Sequence, residues 1–239
     1  MSDKRYIIDA FTEISARYEQ VVDGELQKFW GWSYDSFVEN LVQSTPLEEH
    51  DRVLDVASGT AVIPLKLFSR GKQSGQVIGL DITYAMLKKG QQKIEKHQAG
   101  QVISLVCGNA MSMPFQNGYF DVILCGLATH HLEVAILLGE MSRLLRPGGR
   151  LTIADVGGST AWRKPFVSGL IRTGTFLYFL PKEGYARARA EAGALSHVLT
   201  PDEWASSLGS NQFENIRVEQ LPKSHSWAPA PLLIRATKE

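Results

Sequence analysis

A chain of 239 residues whose 25 Lys+Arg are matched by 25 Asp+Glu carries no excess of positive charge, so nucleic acid is not its expected partner. Its two cysteines, Cys107 and Cys125, lie in apolar runs that read as strands. They are expected to be buried thiols in a reducing cytoplasm, and their spacing offers no zinc framework. The charged opening MSDKRYIIDAF has no apolar core of the signal-peptide kind, and no apolar run approaches the ~20 residues that a membrane span needs.

Residues 1–45 read as helices, with Ile7, Phe11, Ile14 and Tyr18 on one face, and Phe29, Trp30, Trp32, Tyr34 and Phe37 form an aromatic cluster. From Asp51 strands and helices alternate. Strand Val53–Ala57 leads into helix Thr60–Ser69, closed by Gly71. Strand Val77–Asp81, helix Tyr84–His97 and strand Val102–Gly108 follow. Next come strand Asp121–Cys125, helix Glu133–Leu145 and strand Arg150–Asp155, with Arg146-Pro147-Gly148-Gly149 halting the helix. Near-continuous apolar strands alternating with helices predict a parallel sheet covered on both faces. Gly157–Leu199 has no strand pattern and reads as a helical insertion. Its aromatic residues suit a lid over an apolar acceptor or a plain packed helix, and Arg163, Lys164 and Arg172 leave peripheral contact with a membrane surface open. Thr200-Pro201-Asp202-Glu203 has the form of a helix start, with Thr200 as N-cap and Glu203 three residues on. Ile216–Gln220 and Leu232–Thr237 read as closing strands.

The chemistry concentrates in VLDVASGTA at 53–61. An apolar strand runs into a turn of small residues, which lets backbone N–H groups and a helix N-terminus reach a ligand. The next strand ends in Asp81, and a carboxylate there can accept hydrogen bonds from both hydroxyls of a ribose. Strand, glycine turn, helix, strand and acid together point to a nucleoside-containing cofactor. The turn lacks the G-x-G-x-x-G spacing, and no second nucleotide half follows, which disfavours a dinucleotide-binding oxidoreductase.

These pieces run in order with GLDIT at 79–83, GNAMSMPFQNGYFDVI at 108–123, GLATHHL at 126–132 and EMSRLLRPGGRLTIAD at 140–155. The ordered set resembles the class I S-adenosylmethionine-dependent methyltransferases, most of all the quinone-biosynthesis C-methyltransferases of the UbiE type. The resemblance implies a Rossmann-like, doubly wound α/β fold. Its seven-stranded sheet is mostly parallel, with an antiparallel last strand. The chain would divide into a helical N-terminal cap (1–50), a cofactor core (51–156), a helical lid (157–199) and a closing helix and strands (200–239).

The resemblance also implies roles. Asp55 would serve the amino-acid end of the cofactor, and Ala57, Ser58 and Gly59 would let its backbone come close, with Thr60 opening the helix. Asp81 would take the ribose hydroxyls. Ile82 and Met86 would flank the adenine or ribose. Asn109 would accept from the adenine amino group, and Ala110 and Met111 would offer backbone N–H groups to the ring. Tyr18, in the covering segment ISARYE at 14–19, and Leu127 complete the set. Ser58 and Ala61 stand where the family usually has glycine, and Asn109 where it usually has Asp. Ala61 is expected to sit at a helical position and to tighten the site slightly.

His130 and His131 follow the fourth strand. If the strand alternation continues, one faces the sheet and one the cleft, and either removes an acceptor proton or merely bonds the backbone. His131 is the preferred candidate. Asp155, Tyr185, His197 and His225 are secondary ones. Methyl transfer from a sulfonium needs no metal. The expected reaction is therefore S-adenosylmethionine-dependent methylation of a small, apolar or aromatic acceptor at O, C or N, releasing S-adenosylhomocysteine from a monomer or homodimer. The alternative is a cofactor-binding enzyme that catalyses a cyclisation or rearrangement without methylating.

Overall fold

The computed structural model describes residues 5–71, 75–226 and 228–239. Three helices, α1 (Arg5–Ile14), α2 (Tyr18–Trp30) and α3 (Tyr34–Gln43), precede the first strand. Then come β1 (Val53–Val56), α4 (Val62–Ser69), β2 (Val77–Asp81), α5 (Tyr84–Lys96), β3 (Ile103–Cys107), β4 (Phe120–Gly126), α6 (Val134–Leu144) and β5 (Leu145–Val156). The chain closes with α7 (Pro165–Ala194), α8 (Pro201–Gly209), β6 (Phe213–Gln220) and β7 (Pro231–Lys238).

Every residue of β1 and β2 is buried, as their continuous apolar runs require of strands covered on both faces. The sheet order is β3-β2-β1-β4-β5-β7-β6; the first five strands are parallel, and β7 runs antiparallel to both β5 and β6. Leu137, Leu138 and Met141 of α6, with Trp204 and Leu208 of α8, belong to one core layer. Phe37 and Leu41 of α3, with Ile63 and Leu67 of α4, belong to the other. Strand order reverses at β1, flanked by β2 and β4, so a ligand crevice opens at the carboxyl ends of these strands.

Several expectations are met and several are corrected. Thr200 and Glu203 form the reciprocal capping box: Thr200 Oγ1 accepts from the Glu203 N–H (3.3 Å), and Glu203 Oε2 accepts from the Thr200 N–H (2.8 Å). The halt of α6 falls where Arg146-Pro147-Gly148-Gly149 placed it, but the chain enters β5 at once. Phe120 pairs with Leu145 and Val122 with Arg150, so residues 146–149 bulge out of the ladder through left-handed Gly148 (φ 72°). Cys125 is buried in central β4, whereas Cys107 is exposed, which corrects the expectation of two buried thiols. β3 is the edge of the sheet, with a partner on one side only. The insertion is helical: a short 3₁₀ turn (Thr160–Arg163), then α7, broken at Gly184 (φ 81°, ψ 178°). No helix among the described residues is long and apolar enough to cross a membrane.

Candidate active site

The turn after β1 is held in an unusual backbone conformation. Ala57 (φ 58°), Gly59 (φ 55°) and Ala61 (φ 60°) are all left-handed. Such a conformation costs a non-glycine residue ~1–2 kcal/mol. Asp81 holds the turn in place: its Oδ2 accepts from the Gly59 N–H (2.9 Å) and its Oδ1 from the Thr83 N–H (2.7 Å). Burial raises the Asp81 carboxyl above its ordinary range, against the pull of these donors. At Gly59 a side chain would also crowd Met86, since a Cβ would stand 3.2 Å from Met86 Cε. Ala61 caps α4 rather than lying within it, which corrects its expected helical position.

Around this turn a void of about 80 Å³ is lined by Ala57, Gly59, Asp81, Ile82, Met86 and Leu127, and is covered by Ile7, Phe11 and Tyr18. Beneath it Asp55 and Ser58 are buried. Neither lines the void; the Ser58 hydroxyl pulls on the Asp55 carboxyl and lowers its pKa against the larger effect of burial, and no other group stands at hydrogen-bond distance from either. Burial lifts the Asp55 carboxyl to about 7. Buried polar atoms left unpaired are costly, so this pair suits a ligand amine or a bridging water. The residues present therefore fit an adenosyl amino acid.

Asp55 consequently lowers the stability of the ligand-free protein. Its folded pKa lies above the unfolded one, so its protonated form stabilises the fold most at low pH. That stability drains away as pH rises from about 4 to 7. Asp55→Asn is expected to raise thermal stability at pH 8 by ~1–3 kcal/mol, with the gain shrinking toward pH 4, and to weaken cofactor binding. Denaturation scans at the two pH values check this.

Other expected cofactor residues are placed differently. The Thr60 hydroxyl donates to Glu19 Oε1 (2.7 Å) and so ties α2 to the turn. Asn109 is exposed, and its Oδ1 accepts from the Met111 N–H (3.0 Å). This is an Asx-type turn, in which the side chain bonds the backbone two residues on. Asn109, Ala110 and Met111 do not line the void.

A second cavity, of about 410 Å³, adjoins the first and shares Phe11, Tyr18, Leu127 and His131 with it. Val22, Leu26, Phe29 and Trp30 of α2 form one wall, and Ile171 and Phe179 of α7 form another. The expected alternation of the two histidines does not occur. Thr129–His131 makes one turn of 3₁₀ helix, and both rings line the cavity, 4.2 Å apart.

Their surroundings then separate them. His130 Nδ1 lies 2.6 Å from Asp155 Oδ1, while Asp155 Oδ2 accepts from the N–H and hydroxyl of Thr129, each at 2.6 Å. Burial pulls the His130 pKa down, but the charge and hydrogen bond of Asp155 outweigh it, and the net shift is upward. Burial would raise Asp155, yet His130 and the Thr129 donors hold it below the ordinary carboxylate range. Burial, reinforced by the neighbouring His130, lowers His131 to about 4.

Three residues not singled out in the sequence complete the cluster. Arg187, 4 % exposed, lies 3.1 Å from Glu191 and 3.3 Å from Glu25, with its guanidinium over the Phe11 ring. His131 Nε2 stands 3.5 Å from Glu191 Oε1. Burial raises the Glu25 carboxyl to about 7, only partly offset by Arg187. Burial would raise Glu191 as well, but Arg187 and His131 keep it well below the usual range. The signal lay in the run ARARAEAGA, where Arg187 and Glu191 sit one turn apart among alanines small enough for close helix packing. His130, His131 and Glu191 bring donor atoms within 4.8 Å of one another, with the Arg187 cation already seated on Glu191. Of the secondary candidates, Asp155 joins the site. Tyr185 and His225 are exposed, and His197 faces Glu133 at 3.7 Å.

Comparison with known proteins identifies the family and the fold. Residues 54–153 match the family model described as a methyltransferase domain. The chain is 31% identical over 182 residues, 74% of its own length and 68% of the relative's, to a demethylmenaquinone methyltransferase from Symbiobacterium thermophilum. Its fold is similar to that of the YcgJ protein from Bacillus subtilis (TM-score 0.67, 18% identity, covering 86% of this chain and 99% of that one). It is equally similar to the geranyl diphosphate C-methyltransferase of Streptomyces coelicolor A3(2), solved with S-adenosyl-L-homocysteine (TM-score 0.67, 14% identity, covering 86% and 77%). A strained turn clasped by Asp81, an unfilled carboxylate beneath it and these likenesses lead to one conclusion: the chain belongs to the class I S-adenosylmethionine-dependent methyltransferases, among relatives of the quinone-biosynthesis type.

Proposed function

We propose that the acceptor is a small apolar ring compound carrying an ionisable hydroxyl, and that His130, poised by Asp155, takes its proton. The observation carrying this reading is the second cavity. Apart from the Glu25–Arg187–Glu191 cluster it is walled mainly by aromatic and aliphatic side chains, it is lined by His130, whose Nδ1 meets the buried Asp155 carboxylate at 2.6 Å, and it adjoins the cofactor void. A relative named for demethylmenaquinone points the same way.

Bound S-adenosylmethionine supplies a methyl group already activated on sulfur. The protein's own tasks are then to orient, to exclude water and to accept a proton. Asp81 and the Gly59 turn would hold the ribose end. Asp55 and Ser58 would take the amino-acid end, and Ile82 and Met86 would pack against the nucleoside. Asn109, Ala110 and Met111 would lie at the adenine rim. Phe11, Leu127 and Tyr18 form the boundary across which acceptor and methyl donor meet. His130 Nδ1 is committed to Asp155, which leaves Nε2 as the proton acceptor. His131, kept neutral by burial, is the second candidate base. A reducing cytoplasm fits two free thiols.

The test is methylation of naphthohydroquinone with S-adenosylmethionine, read by mass spectrometry of the product. Turnover of this acceptor, with charged and aliphatic acceptors inert, is the expected outcome. Methylation of strongly charged acceptors in its place overturns the assignment.

A further inference from the structure

The acceptor cavity carries a group of donor atoms that an apolar substrate does not need. His130 and His131 line it from the 3₁₀ turn, and Glu191 lines it from α7. One ring nitrogen of each histidine and one carboxylate oxygen lie within 4.8 Å of one another. His131 is 6% exposed, and its Nδ1 has no hydrogen-bond partner. Glu191 Oε1 has none either, and it stands 3.5 Å from His131 Nε2. Polar atoms this deep are costly when left unpaired, so the cluster is built for something held between them.

Geometry and charge both suit a metal cation. Asp155 holds His130 through Nδ1 at 2.6 Å and leaves Nε2 to bind, the arrangement in which a carboxylate orients a metal-ligating imidazole. The carboxylates of Asp155, Glu191 and Glu25 are set against the single guanidinium of Arg187. With all three ionised and both imidazoles neutral, the cluster has a formal charge of −2, which one divalent ion cancels. Arg187 Nη2 lies 3.1 Å from Glu191 Oε1, but a carboxylate offers about four lone-pair sites and can serve both cations. Two imidazole nitrogens favour zinc, copper, iron or nickel over magnesium and calcium.

We propose that His130, His131 and Glu191 form a site for one divalent transition-metal ion of the zinc class, and that the ion holds the enzyme off. Water completes the four positions that zinc prefers. An ion on His130 Nε2 occupies the lone pair that would take the acceptor's proton, and it stands in the cavity where the acceptor must lie. Transfer of a methyl group from sulfur draws nothing from the ion in return. The inhibition rests on the acceptor and base reading above, whereas the binding does not.

The full chain, stripped with EDTA and dialysed, is titrated in a calorimeter with Zn²⁺ and separately with Mg²⁺. The expected result is one Zn²⁺ per chain and no uptake of Mg²⁺. His131→Leu and Glu191→Gln are expected to weaken Zn²⁺ binding about a hundredfold, and Asp155→Asn, which alters only the orientation of His130, about tenfold. Glu191 does not line the cofactor void, so S-adenosylhomocysteine affinity stays unchanged in Glu191→Gln and reports that it is folded. No uptake of Zn²⁺, equal uptake of Mg²⁺, or Zn²⁺ binding that both ligand variants retain in full overturns the site and leaves the base reading standing. Zn²⁺ is further expected to stop methylation of naphthohydroquinone, and EDTA to restore it. Zn²⁺ bound at this site with the rate unchanged overturns the inhibition, and with it His130 as the base.

Discussion

Asp81→Ala is expected to weaken S-adenosylhomocysteine binding at least tenfold, measured by titration calorimetry. Charge-assisted hydrogen bonds contribute ~1.5–3 kcal/mol each, and one such bond to a ribose hydroxyl already accounts for a factor of ten. The structure adds a second cost. Asp81 also accepts from the N–H groups of Gly59 and Thr83, so its removal frees a turn in which Ala57 and Ala61 are held left-handed. Part of the loss therefore comes from a cofactor loop that is no longer shaped in advance. Asp81→Asn keeps the volume but sets an amide N–H₂ or a single neutral oxygen against donors on both sides, so it too is expected to bind weakly. Unchanged affinity in both variants refutes the ribose role.

Asp155→Asn is expected to lower kcat ~10²–10⁴-fold, the range typical of general base catalysis, with cofactor affinity unaltered. An Asn cannot stabilise the imidazolium that forms when His130 takes a proton, and it relaxes the ring's tautomer. The pH profile separates this from mere disturbance of the fold. A histidine base works when neutral, so kcat/KM should climb with pH through a midpoint above 6.5, the direction in which Asp155 pushes His130. Asp155→Asn should move that midpoint downward. The linkage to stability has the opposite sense for each partner. His130, with its pKa raised in the fold, contributes fully below its unfolded value, and the contribution fades as pH rises through the folded pKa. Asp155, with its pKa lowered, contributes above about 4, and the contribution fades in acid. An unshifted profile in the variant eliminates His130 as the base.

The parts of this molecule that follow local rules were legible in the chain. Continuous apolar strands, the Thr200 capping box and the small-residue turn before Asp81 are each set by neighbours within a few positions. What the chain concealed depends on partners far away in sequence. Ala61 reads as an ordinary helix residue, yet the Gly59–Asp81 clasp holds the turn before it left-handed. Alternation along β4 could not reveal that residues 129–131 leave the strand as a 3₁₀ turn around Asp155, which lies 26 positions from Thr129. Cys107 is exposed because β3 is an edge, a property of sheet order and not of its own residues. The Arg187 cluster spans α2, the 3₁₀ turn and α7, so only the one-turn spacing of Arg187 and Glu191 was visible beforehand.

Phe11 is a shared partition. Its ring borders the cofactor void and the acceptor cavity at once, resting edge-on against His131 at 5.3 Å with the Arg187 guanidinium on its face. A methyl donor held on one side and an acceptor held on the other would therefore both bear on this one ring. Any coupling that runs through this ring is reciprocal: the acceptor then tunes affinity for the donor as strongly as the donor tunes affinity for the acceptor.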